Sequence, residues 1–418
     1  MQKTEFQTFS SSEQSKNCNR MIIALSVIFY TFLMCFSAIS YADDGFKNWI
    51  KEFKKTALAN NILPSTFEMA FKSVNAIDPE VLKRAAYQPE FVDPSWNYFD
   101  KRIHDIAIME GRYQAQKWGK WLPQIEKRFG VDRHILLAIW SMESNYGKVL
   151  ENKNIMRDTI RSLATLAYAD KKREKYARTQ LIAAMKILQS GEIKRSQLTG
   201  SWAGALGHTQ FIPSSYLAYA VDMDGNGRRD IWTSIPDALA TAANLLHMNG
   251  WISNLPWGVE VKLPKNKHFS NDWRSFEQWK SLGVKRATGH PFPLTSELAM
   301  LKYPDGPEGP IFLVTKNFFV IKRYNNADRY AFAVALLANR ISGEPGLVKD
   351  WNRPFKSLNF KECKELQHHL ATLGYYTGKI DGKIGTASKK AIKAFQLRHN
   401  LKATGYPSPE ILFLLRKK

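Results

Sequence analysis

Glu143 closes an apolar run, Leu137-Ala138-Ile139-Trp140-Ser141-Met142, and is followed by Ser144-Asn145-Tyr146-Gly147. An ionised carboxylate beside that much apolar surface is costly to keep charged. Its pKa should therefore drift upward, which suits a general acid working near neutral pH. The competing reading is a helix-terminal Glu that simply faces water. A second segment, Gly200 to Tyr216, mixes small residues with Ser201 and Gln210. The small residues Gly204, Ala205 and Gly207 permit close backbone approach, and the two polar side chains have structural readings, Ser201 as a helix cap and Gln210 as a buried hydrogen bond. A third patch reads Asp222-Met223-Asp224-Gly225-Asn226-Gly227-Arg228-Arg229-Asp230, the opening of an EF-hand loop. There the side chains of Asp222, Asp224 and Asn226 and the Arg228 carbonyl turn inward on calcium, and Gly227 allows the sharp bend. Thr233 stands where the closing Glu belongs, so a turn that binds nothing competes with a structural calcium site. The histidines, among them His104, His134, His208 and His247, show no zinc spacing, and no nucleophile-elbow or Walker sequence occurs. Metallopeptidase, serine-hydrolase and nucleotide-hydrolysing chemistry therefore lack support.

These residues need elements to hold them. Ile135, Leu136, Ile139 and Met142 repeat at helical spacing, so a helix over Arg133–Glu143 delivers the acid on its last turn. Asp132 is its expected N-cap, and Asn145 or Gly147 its stop. Helices are also expected over Ile103–Trp118, Tyr176–Gln189 and Arg329–Ile341. The Pro- and Gly-richer stretch 258–320 carries β-like runs at Val259–Leu263 and Ile311–Val314, which predicts a small β lobe. Ser342-Gly343-Glu344-Pro345-Gly346 is turn-rich and marks a boundary. Beyond it, Leu366, Leu370 and Leu373 share one face of a helix over Cys363–Leu373, and a second helix runs through Ala391, Ala394 and Phe395.

The 418 residues are 44% hydrophobic and 23% charged, ordinary globular values with room for two or three domains. Lys16 and Arg20 precede an uncharged stretch from Met21 to Ile39, and Ser40-Tyr41-Ala42 supplies small residues for cleavage before Asp43. Residues 1–42 therefore read as a secretory signal peptide, with a retained membrane anchor as the rival. Lipidation of Cys35 is disfavoured by the bulky Phe32-Leu33-Met34 before it. Cleavage would leave Cys363 as the single cysteine, a small buried hydrophobe with no intramolecular disulfide. The formal charge of +22 favours polyanions. For an exported chain these are wall polymers or membrane surfaces rather than nucleic acid.

Glu143-Ser144-Asn145-Tyr146-Gly147, the Gly200–Tyr216 segment and a later Arg323-Tyr324-Asn325 together resemble the lytic murein transglycosylases of the B family, over about Trp49 to Ile341. The C-terminal pattern, with Leu366-Gln367, Leu373-Gly374-Tyr375, Asp381-Gly382, Gly385 and Ala394-Phe395-Gln396, is similar to the three-helix peptidoglycan-binding module of wall hydrolases. The resemblance implies a mainly α fold (α+β): a lysozyme-like helical catalytic core with a small β lobe over 43–342, a linker over 343–357, and the helical module over 358–418. It implies non-hydrolytic cleavage of the bond between N-acetylmuramic acid and N-acetylglucosamine, with Glu143 as acid and then base and a 1,6-anhydromuramyl product. Most glycosidases use two carboxylates, whereas here a sugar hydroxyl already on the substrate replaces the attacking water.

The resemblance further places Ser201, Gln210, Tyr324, Asn325, Arg173 and Tyr176 against substrate, although Asp170-Lys171-Lys172-Arg173 departs from the family's usual Pro-Arg-Arg. Tyr146 would stack on a sugar or pack in the core. Asp237 would complete the calcium ligands with Asp222, Asp224, Asn226 and Arg228. No cofactor is required for catalysis. The expected partners are peptidoglycan strands and proteins of wall synthesis or hydrolysis, with a monomeric chain in the periplasm. The alternatives are a lysozyme-type hydrolase with Asp158 or Glu151 as second acid, and a catalytically idle wall-binding scaffold.

Overall fold

The computed structural model describes residues 44–86, 95–265, 269–293, 295–353, 356 and 358–418. The expected signal peptide lies outside the described residues, and no described helix is long and apolar enough to cross a membrane. The chain divides into two units, Met1–Tyr87 with Arg157–Gly204, and Gln88–Met156 with Ala205–Lys418.

The first unit is helical. A helix over 44–59 is followed by Pro64–Phe71 and Pro79–Ala86, and the chain returns as Thr159–Ala169 and Glu174–Gln189. Proline opens two of these helices, where its missing N–H costs nothing. Asp158 caps the helix Thr159–Ala169 by accepting the Arg161 N–H at 3.0 Å. A short antiparallel pair joins Arg157–Asp158 to Thr199–Gly200, with Arg157 opposite Gly200. Asp78 ties this unit together: its carboxylate takes two hydrogen bonds from Arg157, at 2.6 and 2.8 Å. Burial alone would raise the Asp78 carboxyl, but the Arg157 bonds and charge hold it below its ordinary value.

The second unit holds the helices Asp105–Lys117, Leu122–Phe129, Arg133–Ser144, Ile235–Met248 and Asp328–Ser342. The pairing of Arg133–Ser144 with Asp328–Ser342 is the centre of its core, since Leu136, Leu137, Ile139, Ala331, Phe332 and Ala335 are all fully buried. The β lobe is a five-stranded antiparallel sheet. Its order is Arg274–Ser275, Leu298–Lys302, Ile311–Val314, Gly258–Lys262, Lys285–Arg286. Gly258 pairs with Val314 and Met300 with the same residue from the other side. Trp279, fully buried, donates its indole N–H to the Ala299 carbonyl at 2.9 Å beneath the sheet.

Residues 343–353 are pinned rather than left as a plain tether. Gly343 takes the left-handed conformation (φ 104°) that ends the long helix. Glu260 then accepts the Val348 and Lys349 N–H groups, each at 2.8 Å. Trp351 stacks on Phe99 with ring centroids 4.1 Å apart, and Arg353 binds Asp100 through two bonds at 2.8 and 3.1 Å. The helices Phe360–Thr372, Thr386–Arg398 and Pro409–Arg416 follow, around a core of Leu366, Leu370, Ile392, Phe395, Ile411 and Leu415. Cys363 is buried among them, which pushes its thiol up to about 12 and leaves it inert.

Candidate active site

Glu143 sits half-buried on the last turn of the helix Arg133–Ser144. The helix begins where Asp132 Oδ1 accepts the His134 N–H at 2.6 Å. It stops because Asn145, Tyr146 and Gly147 all adopt left-handed backbone, with φ of 51°, 56° and 86°. Gly147 is required for a second reason, since a Cβ there would lie 2.5 Å from His208 Cε1.

Two tyrosines build the surroundings of the acid. Tyr330, near the start of the helix Asp328–Ser342, donates its hydroxyl to Glu143 Oε1 at 2.5 Å. Tyr324 lies parallel to it, with centroids 6.4 Å apart and planes within 9°. Its hydroxyl donates to the Thr209 carbonyl at 2.5 Å. Burial, and then the nearby charge of Glu143, raise both phenols well above the ordinary tyrosine value, so both remain O–H donors.

The loop carrying Thr209 is fastened to the acid helix. Ser144, fully buried, donates its hydroxyl to the His208 carbonyl at 2.5 Å and accepts the Gly147 N–H at 3.0 Å. Burial pushes His208 down to about 4, so its neutral Nδ1 accepts the Trp140 indole N–H at 3.2 Å. Gly207 has φ 64°, and a Cβ there would come within 2.3 Å of the Ile231 carbonyl oxygen. Gln210 occupies the tip of the Leu206–Phe211 turn at φ 51°, its amide donating to Gly207 O at 2.9 Å.

The expected site residues divide between the units. The second unit brings together Glu143, Tyr324, Gln210 and Tyr146. The ring of Tyr146 is buried against Trp140 and its hydroxyl donates to the Ala107 carbonyl at 3.0 Å, which is the packing alternative and not a sugar-stacking face. Asn325 is exposed beside Tyr324. Arg173, Tyr176 and Ser201 belong to the first unit. There Arg173 pairs with Asp170 at 2.6 Å and lies 5.5 Å from the Trp202 ring, while Tyr176 donates to the Ala203 carbonyl at 3.2 Å. Ser201 opens a turn closed by the Gly204 N–H on its carbonyl at 2.9 Å, so it does not cap a helix. Tyr330, Ser144, Thr209 and His208 were not singled out from sequence. Tyr330 carried one usable signal, a polar aromatic in the first turn of its helix, just before the apolar run Ala331–Ala338 and six residues after Tyr324.

The two suspected second acids differ in setting. Asp158 caps a helix and pairs with Arg195 at 2.7 Å, and Glu151 is exposed on the turn after the acid helix.

The loop 222–237 suits a hard cation. Carboxylate oxygens of Asp222, Asp224 and Asp237 lie within 4.8 Å of one another. Asp237 is fully buried, and burial raises its carboxyl although it accepts the N–H groups of Met223, Asp224 and Asp230 at 2.8, 3.3 and 2.9 Å. Three converging carboxylates, one of them desolvated, are the oxygen donor set that calcium takes. Asn226 Oδ1 accepts the Arg228 N–H at 2.9 Å, giving the loop its turn.

A family model for the transglycosylase SLT domain matches residues 45–339, and one for a peptidoglycan binding domain matches residues 361–415. The membrane-bound lytic murein transglycosylase B of Escherichia coli is 28% identical over 260 residues, 61% of this chain and 66% of that protein, just under two thirds of its length. The solved structure of SltB3 from Pseudomonas aeruginosa in complex with NAG-anhNAM-pentapeptide superposes with a TM-score of 0.70 at 42% identity, covering 89% of this chain and 99% of that one. Its complex with NAG-NAM-pentapeptide gives the same values. The Escherichia coli lytic transglycosylase Slt35 in complex with calcium shares the fold, with a TM-score of 0.55 at 24% identity over 67% of this chain and 93% of that one.

Proposed function

The chain belongs to the transglycosylase SLT domain family, and from that membership we propose that it cleaves the β-1,4 bond between N-acetylmuramic acid and N-acetylglucosamine in peptidoglycan without water. The observation that carries the reading is the half-buried carboxylate of Glu143, held at a helix end by the hydroxyl of Tyr330. Protonated Glu143 gives its proton to the glycosidic oxygen as the C1–O bond breaks. The resulting carboxylate then takes the proton of the muramyl C6 hydroxyl, whose oxygen bonds to C1. The acid is regenerated, no water enters, and the product ends in a 1,6-anhydro sugar. The substrate's N-acetyl group stands in for a second carboxylate during the charged interval.

A rigid acid favours this role, because proximity contributes only when the reacting atoms are held in place. Gln210, Tyr324, Asn325, Ser201, Arg173 and Tyr176 are proposed to contact the glycan or its peptide. The module over 358–418 is proposed to hold the wall strand, and the segment over 1–42 to export the chain to the periplasm as a monomer acting beside other wall enzymes. Calcium bound by Asp222, Asp224 and Asp237 would neutralise a carboxylate cluster and supply stability, not chemistry. Nucleic acid has no part in this reading.

Mass spectrometry of products from purified sacculi tests the proposal. Anhydromuramyl ends are expected. Reducing ends, each carrying one added water, would favour the lysozyme-type hydrolase, and no release at all would favour the scaffold.

A further inference from the structure

Glu143 sits on a helix turn that runs directly into two strained residues. Asn145 and Tyr146 hold left-handed backbone, at φ of 51° and 56°, a conformation that persists only where the surroundings enforce it. Tyr146 is the costlier of the two, since Asn visits this region more readily than a bulky aromatic. A helix end of this kind needs support from outside the helix.

His208, on the neighbouring loop, supplies that support in three ways. Its carbonyl accepts the Ser144 hydroxyl at 2.5 Å, and its imidazole Nδ1 accepts the Trp140 indole N–H at 3.2 Å. Its ring also fills the space beside Gly147, where a Cβ would lie 2.5 Å from Cε1 and 2.6 Å from Nδ1. Trp140 is 2% exposed and lies edge-on to both His208 and Tyr146, with ring centroids 5.6 and 5.5 Å away. It stands three residues before Glu143, a spacing that places the two side chains as neighbours along the helix. A shift in the seat of the indole is therefore felt at the acid.

The bond from Trp140 requires an unprotonated Nδ1, so the neutral ring carries its proton on Nε2. Burial keeps it neutral, against the charge of Asp230 and a backbone hydrogen bond to Trp232. The loop is fixed on its far side as well. The His208 N–H donates to the Ile231 carbonyl at 2.9 Å, and the next carbonyl, of Thr209, accepts the Tyr324 hydroxyl at 2.5 Å. One short stretch of loop thus holds the helix end under Glu143 and the phenol that lies parallel to Tyr330.

We propose that His208 is a positioning residue for the cleavage reaction, its imidazole seating Trp140 so that Glu143 keeps the setting from which it gives and then takes a proton. The inference rests on the reading of Glu143 as that acid. The two transfers fall at different substrate atoms, the glycosidic oxygen and the C6 hydroxyl, and one carboxylate must reach both. A small displacement of the acid therefore costs turnover rather than binding.

The test measures kcat and KM of the full chain on soluble glycan strands, with thermal melts alongside. His208→Phe keeps a ring beside Gly147 and removes the acceptor, while the backbone bonds of residue 208 to Ser144 and Ile231 do not depend on its side chain. Its kcat should fall about tenfold with KM changed less than about twofold, the pattern of a misplaced catalytic group. His208→Asn places an amide oxygen where Nδ1 stood and should recover most of the loss. Trp140→Phe removes the donor instead. It should lower kcat by a similar factor and add little in the His208→Phe background, because both changes delete one bond. A parent-level kcat in folded His208→Phe overturns the proposal whatever its melting temperature, since a residue that only stabilises the fold moves the melt alone. An Asn variant as slow as the Phe variant overturns it equally. If either His208 variant fails to fold, Trp140→Phe decides by the same kcat criterion. Release of fragments by the parent is scored first. Its absence would sink the enzymatic reading, and its presence with variants at the parent rate would sink only the role of His208.

Discussion

The Tyr330 hydroxyl donates to Glu143 Oε1 at 2.5 Å, joining the start of one core helix to the end of another. The tyrosine remains protonated because burial and the acid's own charge raise it, so it donates whether or not the acid is ionised. Tyr330→Phe removes that donor without changing ring volume. The expected result is a ten- to hundredfold fall in kcat with little change in KM, the equivalent of about 1.5–3 kcal/mol for a hydrogen bond to a charged group. Initial rates on soluble glycan strands check it, and an unchanged kcat would remove Tyr330 from the site.

Glu143→Gln keeps the shape of the side chain and removes the proton it shuttles. Muropeptide release should fall by about a thousandfold or more, within the range general acid–base catalysis contributes. Binding to sacculi should persist, because the three-helix module has its own core of Leu366, Leu370, Phe395 and Ile411. A folded variant that releases muropeptides at the parent rate would dismiss Glu143 as the acid.

Much of this arrangement could be read from the chain, for identifiable reasons. The acid helix was legible because its apolar spacing, its Asp132 cap and its Asn145 stop are local signals, and all three act as expected. The capping box of Asn359 and Glu362 moved the start of the helix Phe360–Thr372 to three residues before the expected Cys363. The two-residue strands Arg274–Ser275 and Lys285–Arg286 were not visible, since so short a run has no periodicity. Tyr330 escaped because its partner is 187 positions away, and contacts of that separation leave no trace in a single sequence. Tyr146 was left open between sugar and core, and the left-handed turn that buries its ring is a tertiary outcome.

Calcium should act on the loop that supports the site. The Ile231 carbonyl accepts the His208 N–H at 2.9 Å, which connects the acidic loop to the turn carrying Thr209 and Gln210. Millimolar calcium should raise the melting temperature by several degrees, with the gain following ligand excess over Kd. Asp237→Asn should abolish that gain. Identical melts in calcium and in chelator would show that the loop closes without an ion.

Asp78 offers a test of the first unit alone. Arg157 holds its folded pKa below the ordinary value of 3.8 against the opposing effect of burial. A depressed carboxylate contributes stability that is present above the unfolded pKa and lost as pH falls through the folded one. Asp78→Asn should therefore cost about 3 kcal/mol at neutral pH, the scale for breaking a mostly buried pair. The gap between parent and variant should close only as pH drops below 3.8. Unfolding free energies measured from pH 7 downward check the sign, and a gap that widened on acidification would contradict it.

The segment 343–353 makes the opposite kind of claim, about order where the sequence suggests a tether. Trp351 is 7% exposed and lies flat on Phe99, so its removal leaves a cavity the neighbouring backbone cannot easily fill. In the parent Arg353 also pairs with Asp100 and Asp350, but two ion pairs cannot replace the lost apolar burial, since paired charges recover little beyond their own desolvation. Trp351→Ala should thus release the segment by about 3 kcal/mol of local stability while leaving both the long helix and the three-helix core intact. Limited proteolysis should cut between residues 343 and 357 markedly faster than in the parent, with far-ultraviolet circular dichroism unchanged. If the parent is already cut there at the same rate, the contacts of Trp351 and Arg353 do not hold the segment down in solution.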